Sequence, residues 1–202
     1  MTTLNLIDIR VLKLEPFSLK VEKKLVCISG PSGSGKSLLL RSIADLIEHE
    51  GEVYLDDKKC SKTNPVLWRK MLGFLPAESA WWMDKVGEHF PESKTSYISE
   101  LNLPDDCLSW EVSRCSTGEK QRLALARLLS NQPKVLLLDE PTASLDPESV
   151  RLVESVIKKY MEEHAATVIW VSHDQEQISR IADCIFKIEN NQFNETKKAS
   201  LV

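Results

Sequence analysis

Residues Gly30, Pro31, Ser32, Gly33, Ser34, Gly35, Lys36 and Ser37 meet the spacing GxxxxGK[ST] in full. That spacing wraps a chain of phosphates. Its glycines permit unusual backbone angles and close approach, so that amide groups can point inward at anionic oxygens. Lys36 is placed to reach the β and γ phosphates, and Ser37 to offer its hydroxyl to Mg2+. The loop alone does not separate a kinase, a GTPase and an ATPase.

Such a loop works only between a strand and the N-terminus of a helix. Leu25 to Ser29 is a short apolar run rich in branched residues, and Ser37 to Ile47 shows helical spacing of leucines and isoleucines. Gly51 to Leu55 reads as a short edge strand leading into a polar loop, Asp56 to Asn64, and Met71 to Leu75 as a buried strand. Downstream, Glu119 to Ser130 reads as a helix and Val135 to Leu138 as a buried strand ending in Asp139-Glu140. Asp146 has the chemistry of an N-cap for a helix over Pro147 to Met161, with Pro147 at its first position. Thr167 to Ser172 is a further strand closed by His173-Asp174, Ile185 to Ile188 the last strand, and the polar tail from Asn190 is expected to be loosely held. Strands alternating with helices imply an α/β fold with a mainly parallel sheet covered on both faces. Glu78 to Arg114 breaks this rhythm with Trp81, Trp82, Trp110 and prolines, and reads as a small inserted helical subdomain.

Composition narrows the classes. The 202 residues are 42% hydrophobic and 28% charged, enough for one sizeable core. The net charge of −4 and the lack of a long basic run argue against nucleic acid as a partner. No stretch approaches the roughly 20 apolar residues of a membrane span, and Met1 to Arg10 carries charges where a signal peptide is apolar, so a cytoplasmic chain is expected. Five cysteines, Cys27, Cys60, Cys107, Cys115 and Cys184, lack CxxC spacing and are read as reduced thiols.

A second segment, Cys115-Ser116-Thr117-Gly118-Glu119-Lys120-Gln121-Arg122, resembles the LSGGQ signature of the ATP-binding cassette (ABC) ATPases. Val135 to Asp146 (VLLLDEPTASLD) resembles the family's strand-end carboxylate pair, and Val171-Ser172-His173-Asp174 its switch histidine. The order and spacing of four motifs agree over nearly the whole chain. GEKQR, PKVLLLDE and VIWVSHD look most like small bacterial cassette subunits, including those paired with metal-ion (iron) exporters.

The resemblance implies a P-loop NTPase fold of ABC type: a mainly parallel sheet flanked by helices, an antiparallel N-terminal β region and the inserted helical subdomain. Residues 1–202 would form one cassette, with 1–77 and 115–202 as the ATP-binding core and 78–114 as the insertion. It implies ATP and Mg2+ as cofactors, with Ser37 and Asp139 as metal ligands, Glu140 as general base and His173 at the γ phosphate. Two cassettes would close head to tail on ATP, so that Ser116, Thr117, Gly118, Glu119 and Asp146 serve the opposite subunit's nucleotide. Ser116 and Glu119 also have capping-box spacing, which puts Ser116 at a helix N-terminus, a natural anion site. The implied partner is a separate polytopic membrane subunit, with this chain peripheral on the inner face of the cell membrane. A soluble non-transport ATPase and a nucleotide-sensing module with little turnover are the alternatives.

The chain departs from the family pattern at three places. Ala77 stands where the family has a glutamine, leaving that role vacant or passing it to Glu78. Thr117 replaces a signature glycine, which weakens closure or adds a donor. No N-terminal aromatic is placed to stack on adenine, and Phe17 reads as core. Trp81, Trp82 and Met83 either receive the membrane subunit or pack within the insertion. His49, His89 and His164 carry only an ordinary structural reading.

Overall fold

The computed structural model describes residues 2–22, 24–90 and 96–196. A six-stranded sheet forms its centre, built from β3 (Leu25–Ser29), β6 (Leu72–Leu75), β7 (Val135–Asp139), β8 (Thr167–Val171), β9 (Cys184–Glu189) and β10 (Gln192–Thr196). The spatial order is β10-β9-β3-β8-β7-β6, parallel throughout except for the antiparallel β9–β10 pair. A second, antiparallel sheet has the order β2-β1-β4-β5, from β1 (Thr3–Arg10), β2 (Phe17–Glu22), β4 (Glu50–Leu55) and β5 (Lys58–Lys59).

The unbroken apolar runs of β3, β7 and β8 follow from burial on both faces. Successive side chains of a strand point to opposite faces, and the core divides accordingly. Leu25, Cys27, Leu136, Leu138, Val168 and Trp170 belong to one cluster; Val26, Ile28, Val135, Leu137, Ile169 and Val171 belong to the other. The first cluster is covered by α4 (Thr117–Ser130), α5 (Pro147–His164) and α6 (Gln175–Ile181). The second is covered by the small sheet, α1 (Lys36–Ile43) and Trp68 of α2 (Pro65–Met71).

The described residues of 78–114 hold three single-turn 3-10 segments, the five-residue α3 (Ser96–Glu100) and an isolated bridge between Lys85 and Glu111. Val86, Leu101, Cys107 and Trp110 from this stretch enter the same cluster as α4 and α5. Part of the stretch, 91–95, lies outside the described residues, as do 197–202 of the polar tail.

Several sequence expectations are corrected. The tail does not loosen at Asn190: Asn190 and Asn191 adopt φ of 51° and 64°, making the tight turn into β10. Phe193 of β10 stacks between Phe186 and Phe17, at centroid distances of 4.7 and 4.2 Å. Alternation of one aromatic with polar residues hid this strand. β4 is not an edge strand, because β1 and β5 flank it. Met71 closes α2, and β6 begins at Leu72. The helix expected to reach Ile47 ends at Ile43, where Asp45 turns left-handed at φ 57°. The fold class itself, with its parallel sheet, flanking helices and antiparallel N-terminal sheet, is the one expected.

Candidate functional site

Three adjacent strands, β3, β8 and β7, end at the same edge of the sheet, and their C-terminal ends carry the chemistry. Ligands of open α/β sheets bind at such strand ends. The loop after β3 runs from Gly30 to Gly35 and enters α1 at Lys36. Gly30 adopts φ 148°, and a Cβ there would collide with the carbonyl oxygen of Ile188 in β9. Gly35 adopts φ 99°, in the region that L side chains rarely enter.

The Lys36 ammonium curls back over its own loop, donating to the carbonyls of Gly30 and Pro31 at 2.9 Å each. Burial pushes its pKa below the usual lysine range, against the opposing pull of Glu140 and Asp139. Ser34 Oγ is buried with no hydrogen-bond partner among the described residues. The loop therefore holds a desolvated cation and an unspent hydroxyl, a combination suited to an anion.

Asp139, last residue of β7, is buried and accepts a hydrogen bond from Ser37. Burial raises its pKa, and Glu140 raises it further, against Ser37, Arg41 and Lys36. A buried carboxylate beside a serine hydroxyl is an oxygen pair of the kind that takes a hard divalent cation. Glu140 follows at φ 49°, a strained conformation for a residue with a Cβ. Its amide donates to Val171 O at 3.1 Å, so the backbones after β7 and β8 are joined. Its carboxylate Oε1 lies 2.8 Å from Nε2 of His173, the second residue after β8. Both side chains remain partly open to solvent.

The signature residues form a separate group. Ser116 caps α4: its Oγ accepts from the amide of Glu119 at 3.2 Å, while Glu119 Oε2 accepts from Ser116 N and Oγ at 2.8 Å each. These donors hold the Glu119 carboxyl below its usual range, the Ser116 amide most of all. Thr117 is the first helical residue, and Gly118 lies beside Leu145 and the carbonyl of Ser144. Asp146 caps α5 by accepting from Glu148 N, Ser149 N and Ser149 Oγ at 3.1, 2.9 and 2.7 Å. Ser149 is accordingly the chief cause of its lowered pKa. Among the described residues, no hydrogen bond or ion pair links Ser116 to Glu119 with the phosphate loop. The candidate site residues thus fall into two groups within one chain: Gly30 to Ser37 with Asp139, Glu140 and His173, and Ser116 to Glu119 with Asp146.

Two arrangements were missed in the sequence. Thr142, Ser172, Gln177, Glu154 and Arg180 form a hydrogen-bonded group behind Glu140 and His173. Its one legible signal was Asp174, whose side chain caps α6 through Gln177 N. The second is around His89. Its buried ring accepts from the amides of Trp82 and Met83 at 3.0 and 3.1 Å through Nε2, and Nδ1 donates to Lys85 O at 3.1 Å. Arg127 of α4 lies over the rings of Trp81 and Trp82 at 4.6 and 5.0 Å and donates to Ala80 O. Trp81 packs on the core, whereas Trp82 and Met83 are 65% and 48% exposed.

The strand-loop-helix unit, the strand-end carboxylates and the fold define a nucleotide-hydrolysing P-loop cassette. The ABC transporter family profile matches residues 14–143. Among curated proteins, ABC transporter I family member 17 of Arabidopsis thaliana is 35% identical over 87% of this chain and 72% of its own length. The probable iron export ATP-binding protein FetA of Escherichia coli is 33% identical over 90% of this chain and 86% of its own. A solved dimer of an ATP-binding cassette in a post-hydrolysis state, bound to ADP and phosphate, superposes with a TM-score of 0.82 at 25% identity, over 96% of this chain and 98% of that one. The chain belongs to the ABC transporter family, as an ATP-binding and ATP-hydrolysing subunit.

Proposed function

We propose that the chain energises transport through a separate membrane subunit by closing head to tail with a second copy around two ATP molecules. Gly30 to Ser37 would hold the phosphates, with Lys36 leaving its own loop carbonyls for the β and γ oxygens. Ser37 and Asp139 are the oxygen donors that would hold Mg2+, which supplies charge neutralisation on the phosphates when bound. Glu140 polarises the attacking water, and His173 steadies Glu140 and contacts the γ phosphate. Ser116, Thr117, Gly118 and Glu119, at the N-terminus of α4, meet the γ phosphate of the opposite copy, with Asp146 beside them at the interface. The observation that carries this reading is the 2.8 Å Glu140–His173 contact, with Glu140 near enough to Lys36 to act on its charge.

The exposed Trp82 and Met83 support the docking reading over packing within the insertion. Trp82 lines a hollow with Phe74, Leu75, Phe90 and Leu128, and a second hollow that shares Phe74 and Leu128 is lined by Leu46 and Val66. Among the described residues, no helix is long and apolar enough to cross a membrane. In this proposal the partner supplies the membrane path and the chain docks on its cytoplasmic face. Residues 1–77 and 115–202 act as the ATP-binding core and 78–114 as the inserted unit that receives the partner.

The test is Glu140→Gln. It is expected to lower ATP turnover roughly 10² to 10⁴ fold while ATP binding persists, and to leave an ATP-bound dimer detectable by light scattering. Near-normal turnover by this variant overturns the assignment. Recovery of one polytopic membrane protein with tagged Glu140→Gln, from detergent-solubilised native cells in Mg-ATP, supports the transporter reading. Recovery of ribosomes or DNA proteins sinks it.

A further inference from the structure

One buried side chain outside the residues given roles above touches both strand-end loops at once. Gln177, in the first turn of α6, is 1% exposed. Its Oε1 accepts from Ser172 Oγ at 2.9 Å and from Thr142 Oγ1 at 3.3 Å. Its Nε2 donates to Thr142 Oγ1 and to Glu154 Oε1, both at 3.0 Å.

These partners sit next to the proposed hydrolytic pair. Thr142 lies two residues after Glu140, and Ser172 directly before His173. Ser172 Oγ also accepts from Asp174 N at 3.1 Å, and Asp174 Oδ1 accepts from Gln177 N at 3.0 Å. Both neighbours of His173 are thereby held to Gln177, as is the turn that follows Glu140. The far side is anchored by Glu154, whose carboxylate receives a forked pair from Arg180 at 2.8 and 2.6 Å. Burial acts to raise the Glu154 pKa, but the donors Arg180 and Gln177 outweigh it and hold it low.

The chemistry of the position selects an amide. Oε1 faces two hydroxyls, while Nε2 faces a carboxylate and a hydroxyl, so one end must accept and the other donate. A glutamate there would set a second carboxylate against Glu154, and an alanine would leave buried hydroxyls and the carboxylate short of partners.

We propose that Gln177 is a positioning residue for hydrolysis, holding the turn after Glu140 and the loop of His173 in one register. The proposal rests on the roles given to Glu140 and His173. Its effect falls on turnover and not on ATP affinity, because the phosphate loop lies outside this network.

The experiment compares wild type, Gln177→Ala, Gln177→Glu, the double variant Gln177→Glu with Glu154→Gln, and Glu140→Gln. Steady-state Mg-ATP turnover is measured between about pH 6 and pH 8, beside equilibrium ATP binding and melting midpoints. Gln177→Glu is expected to lose about tenfold or more in kcat at the alkaline end, with ATP affinity within about twofold. Part of the loss returns at the acidic end, where the added carboxyl facing Glu154, Asp174, Arg180 and Arg151 takes up a proton. The double variant, which exchanges amide and carboxylate across the same contact, recovers kcat at both ends.

Unchanged kcat in Gln177→Ala and Gln177→Glu overturns the proposal, as does a loss that tracks ATP affinity or that the double variant fails to rescue. If Gln177→Ala does not fold, the Gln177→Glu pair alone decides between these outcomes. Glu140→Gln separates the two levels of the argument. Normal turnover in that variant removes the hydrolytic assignment and this inference with it. Its inactivity beside unaffected Gln177 variants removes this inference alone.

Discussion

The strand-end loops after β7 and β8 and the segment from Pro76 to Phe90 differ in how their side chains hold them. Behind Glu140 and His173, polar side chains are buried and directed: Gln177, Thr142, Ser172 and Glu154 satisfy one another with donor and acceptor fixed at each contact. Around Trp81 and Trp82, the His89 ring and the Arg127 guanidinium bond only backbone groups among the described residues and pack against aromatic faces, while the Trp82 and Met83 side chains stay largely in solvent. Directional bonds suit atoms that must meet a reacting centre within a fraction of an ångström. Apolar surface with few directional constraints suits a region that takes up a partner. On the proposed function, the chain separates an end for chemistry from an end for docking.

The largest effect that would break this contrast belongs to Glu140. Its change to Gln leaves size and position intact, so a fall in turnover of roughly 10² to 10⁴ fold, about 3–5 kcal/mol of transition-state stabilisation, would show chemistry alone being lost. Trp82→Ala is the matching cut at the other end. It is expected to weaken assembly with the membrane subunit about thirtyfold or more, seen in co-purification, with little change in the melting midpoint. Loss of folding in Trp82→Ala would instead make this side chain part of the core and erase the contrast.

His89→Ala lies between the two kinds of region. Its ring accepts two backbone amides that no other described side chain reaches, so removal should lower unfolding free energy by about 1–3 kcal/mol, read from denaturant midpoints, while turnover of the separate chain is kept. The smallest effect is that of pH on stability. Glu119, Asp146 and Glu154 have folded-state pKa values below their unfolded ones. Their stabilisation is complete above the ordinary carboxylate range near 4 and is lost as pH falls through the folded values. Asp139 has the opposite sign: its raised pKa means that ionisation costs stability as pH rises through the folded value. Midpoints measured from about pH 7 to pH 3 should therefore fall less in Glu154→Gln than in wild type, relative to each protein's value at pH 7.

The proposed site was legible wherever residue type and spacing suffice locally. A phosphate loop is eight consecutive residues, the Ser116–Glu119 box spans one helical turn, and Asp146 before Pro147 is a cap that needs no distant partner. Each was readable because its geometry is set within a few bonds along the chain. β10 was not readable, because its single apolar face is meaningful only once Phe17 and Phe186 lie beside Phe193. Residues 78–114 resisted for the same reason: Trp81 and Trp110 reach the core while Trp82 does not, and local pattern alone cannot tell them apart.

Sequence by itself determined that this chain carries a phosphate-loop motif between strand and helix, that a carboxylate pair ends one strand and a histidine follows another, and that the motifs run in the order of an ABC ATPase. Tertiary structure decided what meets what. Strand order put β3, β8 and β7 side by side, which brought Glu140 to 2.8 Å from His173 across 33 residues of chain. It also closed Gln177 onto Thr142 across 35 residues, a contact without a local signature, since a buried amide is defined by the groups around it and not by its neighbours in sequence.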